Sequence, residues 1–438
     1  MAELGTRGRS QILRTYLPMQ TADLRGRIYR VKGWDHPIPL HIDQEVVRRR
    51  LLRDLAPFES TGTDNGVAAD LRRGARVEVV ELDTGRGVTV ERWPQVWLCS
   101  RCRRIGRSAE KKCRCGDGSW DQLHFVGFHT CGAIVEPFIR RCPQHDDTAL
   151  RAPKSTKTAD IRFVCPECHT ETQRGLQFNR ACTCGGGTIT WNVHPARTVF
   201  TPHGTVLVNP PPPDQMQTLL DAGGRRRALD WVLDDMTTSR ADRSDFVTAA
   251  GLTRQLIDQG LPPDLVEQMV ALAQQSGQIA ADTDTTADIL AVDVRLDAED
   301  EAVDIAIATW HERTTTRDLL ATSDPVLRAH YEHSYPAALD RAGLAGLDLV
   351  EQLPVLNVMY GFSRGGQPGV SRLVPFRNPL TGAYRLHGEL ARTEAFFLQL
   401  HPDRVRSWLT DLRYPIDADL PPRLAILDAA AEPSPGTT

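Results

Sequence analysis

At 438 residues the chain is longer than one compact core, so about two to four domains are expected. Its apolar content of 41% and charged content of 25% are those of a soluble globular protein, and no apolar run approaches the ~20 residues of a membrane-spanning helix. The formal net charge of −4 is unevenly spread: residues 99–184 carry 15 Lys+Arg against 9 Asp+Glu, whereas residues 185–438 carry 21 against 34.

No apolar export stretch follows Met1-Ala-Glu-Leu-Gly-Thr-Arg, so a cytoplasmic location is expected. Residues 1–95 read as an N-terminal α+β block. Arg9 to Leu17 places Ile12, Leu13, Tyr16 and Leu17 at helical spacing, but Pro18 limits it to a short helix or an extended arm. A stronger helix is predicted from Glu45 to Leu55, with Val46, Val47, Leu51, Leu52 and Leu55 inward and Arg48, Arg49, Arg50 and Arg53 along a solvated side. Thr61 to Asn65 reads as a flexible loop. The alternating runs Arg76–Leu82 and Gly87–Glu91, joined by Asp83-Thr-Gly-Arg, predict a β-hairpin leading to Trp97.

Residues 96–190 hold all ten cysteines. Cys99-x2-Cys102 with Cys113-x-Cys115, and Cys165-x2-Cys168 with Cys182-x-Cys184, predict two structural zinc sites of four thiolates each, since paired knuckles bring four sulfurs onto one tetrahedral ion. Gly116 and Gly185 to Gly187 supply the permissive backbone that the tight second knuckles need. The remaining His129-x-Cys131 and Cys142-x2-His145 admit two readings: a third, mixed zinc site, or two buried cysteines acting as small hydrophobes. Disulfides are disfavoured in a chain with no secretory signal. His124 and His169 read as surface or supporting residues. The basic residues around the first site, Arg101, Arg103, Arg104, Arg107, Lys111, Lys112 and Arg114, would suit a phosphate backbone if they shared one face, or an acidic partner, or the acidic half of the same chain.

Residues 191–213 read as two strands, Thr188–His194 and Gly204–Asn209, closed by Pro210 to Pro213 at a domain boundary. From 214 to 343 the pattern is helical, with Leu265, Val266, Met269, Val270, Leu272 and Ala273 in one stripe, a second helix near Ala298 and a third opening at Ser323-Asp-Pro325. Residues 344–414 turn mixed: Pro354–Ser363 and Ser371–Pro375 are expected to pair, Ala395–Leu400 to form a buried strand, and Pro402–Leu412 to close as a helix on Val405, Trp408 and Leu409. Residues 415–438 read as a flexible tail. The fold class expected is therefore α+β and multi-domain, with central zinc-ribbon-like modules between an N-terminal α/β block and a mostly helical C-terminal half.

Catalytic signatures are sparse. No Gly-x4-Gly-Lys-[Ser/Thr] or His-Glu-x2-His occurs. Gly361-Phe-Ser363-Arg-Gly365 matches a nucleophile elbow only in letters, and Glu110-Lys-Lys112 lacks an acidic strand partner. Closed thiolate sites leave no position for a reacting water, so a non-enzymatic scaffold or binding protein is expected.

Several segments also resemble a known family. Arg9-Ser-Gln-Ile-Leu13, Trp97-x-Cys-x2-Cys102 followed by Ile105-Gly-Arg-Ser108, Phe125-Val-Gly-Phe-His-Thr-Cys131, Gly361-Phe-Ser-Arg364 and Ala395-Phe-Phe-Leu-Gln399 together resemble DrmB, a non-helicase subunit of the bacterial DISARM anti-phage system, across residues 9–412. The resemblance implies a superfamily-2 helicase partner similar to DrmA and a complex that binds invading DNA, with no membrane component. Such relatives usually continue into a further cysteine-bearing domain, which here would come from a separate chain or be dispensable. Gly132-Ala also stands where the family usually carries Gly-His. The alternative kept beside this reading is a stand-alone zinc-ribbon nucleic-acid-binding protein.

Overall fold

The computed structural model describes residues 9–109, 112–151, 158–177, 179–210, 261–275, 336–365 and 371–413, with isolated positions between them. Helices and strands are mixed, an α+β architecture. The chain divides into two compact units, one of Met1–Leu207 with Leu356–Leu390 and one of Val208–Val355 with Ala391–Thr438. The segment expected at 344–414 is thus shared by both units.

The first unit opens with helix α1 (Arg9–Thr15). Ile12, Leu13, Tyr16 and Leu17 are all buried, so this is a packed helix and not an arm. Strands β1 (Thr21–Leu24) and β2 (Arg27–Trp34) form an antiparallel hairpin. Helix α2 (Gln44–Ser60) starts at Asp43, whose carboxylate accepts hydrogen bonds from the Glu45 and Val46 amides, and it buries Val46, Val47, Leu51 and Leu55. The arginine run along it is less solvated than expected: Arg48, Arg49 and Arg50 are half-buried, and Arg50 donates to Thr205 Oγ1 at 2.9 Å.

Tertiary contacts decide two expectations for this block. The predicted loop at 61–65 is anchored: Thr63 and Asp64 are buried, the Asp64 carboxylate accepts from the Ala68 amide at the start of α3 (Val67–Arg72), and the Leu373 amide donates to the Thr63 carbonyl. The predicted hairpin is not one. Its turn forms, with the Gly87 amide on the Asp83 carbonyl at 2.7 Å, but β4 (Val77–Glu81) and β5 (Val88–Arg92) diverge into different sheets. Strand β5 pairs with β2, while β4 pairs with β3 (Ile38–Pro39) on one edge and a distant strand on the other.

That distant strand is β19 (Tyr384–Leu400), which runs parallel to β4 with Tyr384 opposite Val77 and Gly388 opposite Glu81. No turn can make a parallel pair, so only the long excursion of the chain brings these strands together. The sheet order is β15-β17-β19-β4-β3, where β15 is Thr201–Val208 and β17 is Leu344–Ser363; β18 (Val374–Pro375) pairs with β17 as expected. Tyr16, Leu17, Val31, Val80, Phe200 and Phe362 are among the buried residues of the resulting core.

Arg364, one residue past β17, is fully buried. Its guanidinium donates to the carbonyls of Gly132 and Met19, both at 2.9 Å, and of Val199, and it lies over the Phe362 ring at 4.8 Å. Burial pulls its pKa down to about 9. One side chain therefore ties the end of β17 to three segments of the unit.

In the second unit, helix α4 (Pro263–Gln275) buries Val266 but exposes Leu265, Met269 and Leu272. Strand β16 (Thr314–Thr315) pairs with β17 at Leu349 and Asp348. Helix α5 (Pro402–Asp411) forms where expected, yet buries none of its residues, and Trp408 is exposed. The segment expected as a buried strand at 395–400 is a strand, but Phe396, Leu398 and Leu400 all face solvent. Among the described residues, the C-terminal half also contributes the two longest strands. The helices expected near Ala298 and at Ser323, and the tail 415–438, lie outside the described residues. Among the described residues no helix is long and apolar enough to cross a membrane.

Candidate metal centres

Three short sheets carry the cysteine region. Strands β6 (Trp97–Cys99), β7 (Ile105–Gly106) and β8 (Trp120–Gln122) form the first; β9 (Phe125–Phe128), β10 (Ile134–Val135) and β14 (Thr190–Val193) the second; β11 (Ala149–Arg151), β12 (Arg162–Val164) and β13 (Glu171–Arg174) the third. Each places two turns of ligand residues side by side.

Three groups of four ligand residues result, and in each the ligand atoms lie within 4.8 Å of one another. The first is the expected one, Cys99, Cys102, Cys113 and Cys115, with Sγ–Sγ separations of 3.6 Å for Cys99–Cys115 and 3.4 Å for Cys102–Cys113. The other eight residues group differently from the sequence expectation. Neither Cys165/Cys168 with Cys182/Cys184 nor His129/Cys131 with Cys142/His145 forms a site. Instead His129, Cys131, Cys182 and Cys184 make one group, and Cys142, His145, Cys165 and Cys168 make the other.

Strand pairing is the cause. The antiparallel pair β9–β14, with Phe128 opposite Thr190, brings the 129–131 turn beside the 182–184 turn. The antiparallel pair β11–β12, with Ala149 opposite Val164, does the same for 142–145 and 165–168. The third group is thereby nested in sequence inside the second. All twelve predicted ligand residues fall within the three groups, the histidines included, and this favours ligand roles for Cys131 and Cys142.

The backbone shows two turn types. At Cys99, Cys142 and Cys165 the first ligand's amide donates to the carbonyl five residues on, and the amide four residues on donates back. The residue after the second ligand then takes a left-handed φ: Arg103 at 63°, Asp146 at 46° and His169 at 59°. At Cys113, His129 and Cys182 the amide three residues on donates back to the first ligand's carbonyl, and Gly116, Gly132 and Gly185 hold φ of 84°, 94° and 73°. The first group joins one turn of each type, whereas the second joins two tight turns and the third two wide ones. Like turns thus meet in the second and third groups but not in the first, so turn type alone does not fix the grouping.

The donor geometry suits a tetrahedral ion with metal–sulfur bonds of ~2.3 Å, for which sulfurs stand ~3.8 Å apart. In the second group Cys131 and Cys182 are 3.6 Å apart and Cys184 is 3.4 Å from His129 Nδ1; in the third Cys142 is 3.7 Å from Cys168 and 3.5 Å from His145 Nδ1. A disulfide needs ~2.05 Å, and all ten cysteines are free. Close packing reaches the ligands themselves: a Cβ on Gly118 would lie 2.1 Å from Cys99 Sγ. Two thiols are already acidic. Cys99 is lowered to about 6, its burial opposed by the Cys102 and Arg101 amides, and Cys168 to about 6 by the Thr170 hydroxyl.

The basic residues singled out around the first group do not form one free face. Arg104 is half-buried and bridges to Asp147 and Glu167, both at 2.8 Å, which ties the first group to the two turns of the third; Arg114 reaches Asp147 at 3.5 Å. Arg101 pairs with Asp117. Arg103 and Lys112 are exposed, Arg107 lies over the Phe138 ring at 5.9 Å, and Lys111 falls outside the described residues. His124 and His169 are exposed and stand outside the three groups.

Sequence reasoning also missed a close pair, His203 Nε2 and Ser363 Oγ at 2.8 Å. Burial depresses the His203 pKa and keeps the ring neutral, and Ser363 is only 3% exposed. No curated protein matches the chain. A family model described as Domain of unknown function (DUF8724) matches residues 8–198, a stretch similar to that domain and containing every ligand residue of the three metal-binding groups.

Proposed function

We propose that the chain is a non-catalytic zinc-binding subunit of a bacterial anti-phage complex, associating with a superfamily-2 helicase similar to DrmA and helping to bind foreign DNA. The observation that carries the structural half is the closure of all three groups by four Cys or His ligands each, which leaves no coordination position for a reacting water. Zinc suits the donor sets, thiolate-rich with one histidine at most, better than hard cations that prefer oxygen. Bound there, the ions knit short strands into a rigid platform, because binding free energy becomes folding free energy.

The helicase half rests on the resemblance, and the packing of its motifs supports it. Arg364 from Gly361-Phe-Ser-Arg364 donates to the carbonyl of Gly132, directly after Phe125–Cys131, and to that of Met19, just beyond the helix that begins at Arg9. Segments far apart in sequence thus depend on one another physically. The excess of basic residues in 99–184 favours a nucleic-acid role, which the stand-alone alternative shares.

Affinity purification of the tagged full chain from its native host, with metal quantification, tests both halves. A co-purifying large ATPase and about three zinc ions per chain are expected. An ATPase that purifies free of this chain with unchanged DNA binding would eliminate the defence-complex reading, and steep salt-dependent DNA binding by the isolated chain would then favour the stand-alone binder.

A further inference from the structure

Among the short sheets of the cysteine region the surface opens into a cavity of about 540 Å³, within the ~300–1,000 Å³ usual for small-ligand sites. Neither the metal groups nor the proposed partner accounts for it. Its floor is apolar, with Trp93 and Ile134 buried in it, and its rim carries Arg107, Arg141 and Arg180 against a single carboxylate, Glu136.

Phe138 stands in this cavity half-exposed, at 50%, and Arg107 lies over its ring. The other two arginines are positioned by main-chain carbonyls: Arg180 donates to the carbonyl of Glu136 at 3.2 Å, and Arg141 to that of Asp146 at 3.3 Å and to the Asp146 carboxylate at the same distance. Each guanidinium has five N–H donors, so these bonds orient it and leave donors for a ligand. Glu136 accepts the Gln95 amide at 2.8 Å and keeps acceptor capacity on its remaining oxygen.

This combination selects a chemistry. A bare phosphate would meet the arginines but also the Glu136 carboxylate, and would make no use of an exposed aromatic face. A purely apolar ligand would make no use of the guanidinium donors these bonds leave over. We infer that the cavity receives a base of single-stranded DNA, its ring stacked on Phe138, its exocyclic amino group toward Glu136 and its flanking phosphates against Arg107, Arg141 and Arg180. Aromatic platforms ringed by arginine are how sequence-tolerant single-strand sites are built. A base paired within a duplex is stacked on both faces and cannot enter.

The inference rests on the reading that this chain helps to bind DNA, and it names the surface. The test is fluorescence anisotropy of a labelled oligodeoxynucleotide of about ten nucleotides with the full, zinc-loaded chain. Binding with a log–log salt slope of about −2 is expected for three phosphates. Phe138→Ala weakens it about tenfold, Phe138→Trp restores it, and R107Q/R141Q/R180Q flattens the slope. Unchanged metal content in each variant reports that the fold survives. Phe138→Ala binding like the parent, equal affinity for duplex, no binding at all, or competition by a free mononucleotide as strong as by the strand would each overturn the proposal. Retention of the co-purifying ATPase in Phe138→Ala keeps the two readings separable, since loss of the site then leaves the partnership standing.

Discussion

Two cores in the first unit are held together by different means. Around α1, β2, β4 and the end of β17, side chains such as Tyr16, Leu17, Val31 and Phe362 are 0–1% exposed, and apolar burial at about 2 kcal/mol per large side chain supplies the stabilisation. Between residues 96 and 191 there is also a contiguous apolar cluster, including Leu98, Phe163, Leu176 and Trp191, larger than a region of so many turns led one to expect. Yet its strands are only two to four residues long, too short to persist by themselves, and three groups of residues that could hold metal ions lie at their ends. One core is built from apolar contacts alone; the other adds three groups of residues that could hold metal ions.

That difference sets the size of the expected effects. The largest belongs to the ligands. Cys182→Ser should reduce metal content from about three to about two per chain and loosen 129–131 as well as 182–184, while the Cys142, His145, Cys165 and Cys168 site keeps its ion. Cobalt substitution with absorption spectroscopy reads this directly, and loss of the 165–168 site instead would restore the pairing first expected from sequence. Next comes Arg364→Met, which leaves three buried carbonyls without their donor and should cost about 3 kcal/mol by denaturant unfolding. An effect under about 0.5 kcal/mol would show that the apolar stack around Phe362 is sufficient alone.

A pH-dependent effect, small near neutral pH, belongs to His387. It is buried against Trp34 and Phe376 at 4.7 and 5.0 Å between ring centroids, and burial pushes its pKa down to about 3. The unfolded chain therefore binds the proton first. Stability from this group is complete above the unfolded pKa of about 6.5 and falls with acidification between there and about 3, by up to about 1.4 kcal/mol per pH unit. His387→Leu should flatten that slope; an unchanged acid limb would place it elsewhere. Smallest is Asp43→Ala, which removes the cap of α2 and should cost about 1 kcal/mol in thermal unfolding without altering metal content.

Much of the chemistry was legible in the linear order. Ligand types and their tight spacing are local facts, since a turn of three or four residues either presents two donors to one point or does not. The helix from Glu45 and the strands preceding Pro210 were legible for the same reason, being short-range periodicities. What failed was long-range. The β4–β5 turn is locally sound, but β4 finds β19 more than 300 residues later and leaves β5 to β2. Phe396, Leu398 and Leu400 alternate as a strand should, yet which face is covered depends on neighbours that the alternation does not name. Arg364 looked like one basic residue among many, and Phe138 with Arg107, Arg141 and Arg180 had no motif, because those four come from turns of three different sheets.

By itself, then, the order of residues determined eight cysteines in small metal-binding knuckles on an α+β scaffold and left four further Cys and His side chains open between a third site and packing. Which knuckle met which was decided only by the folded chain, because coordination is blind to sequence distance: a tetrahedral ion accepts any four donors that strand pairing delivers to one point.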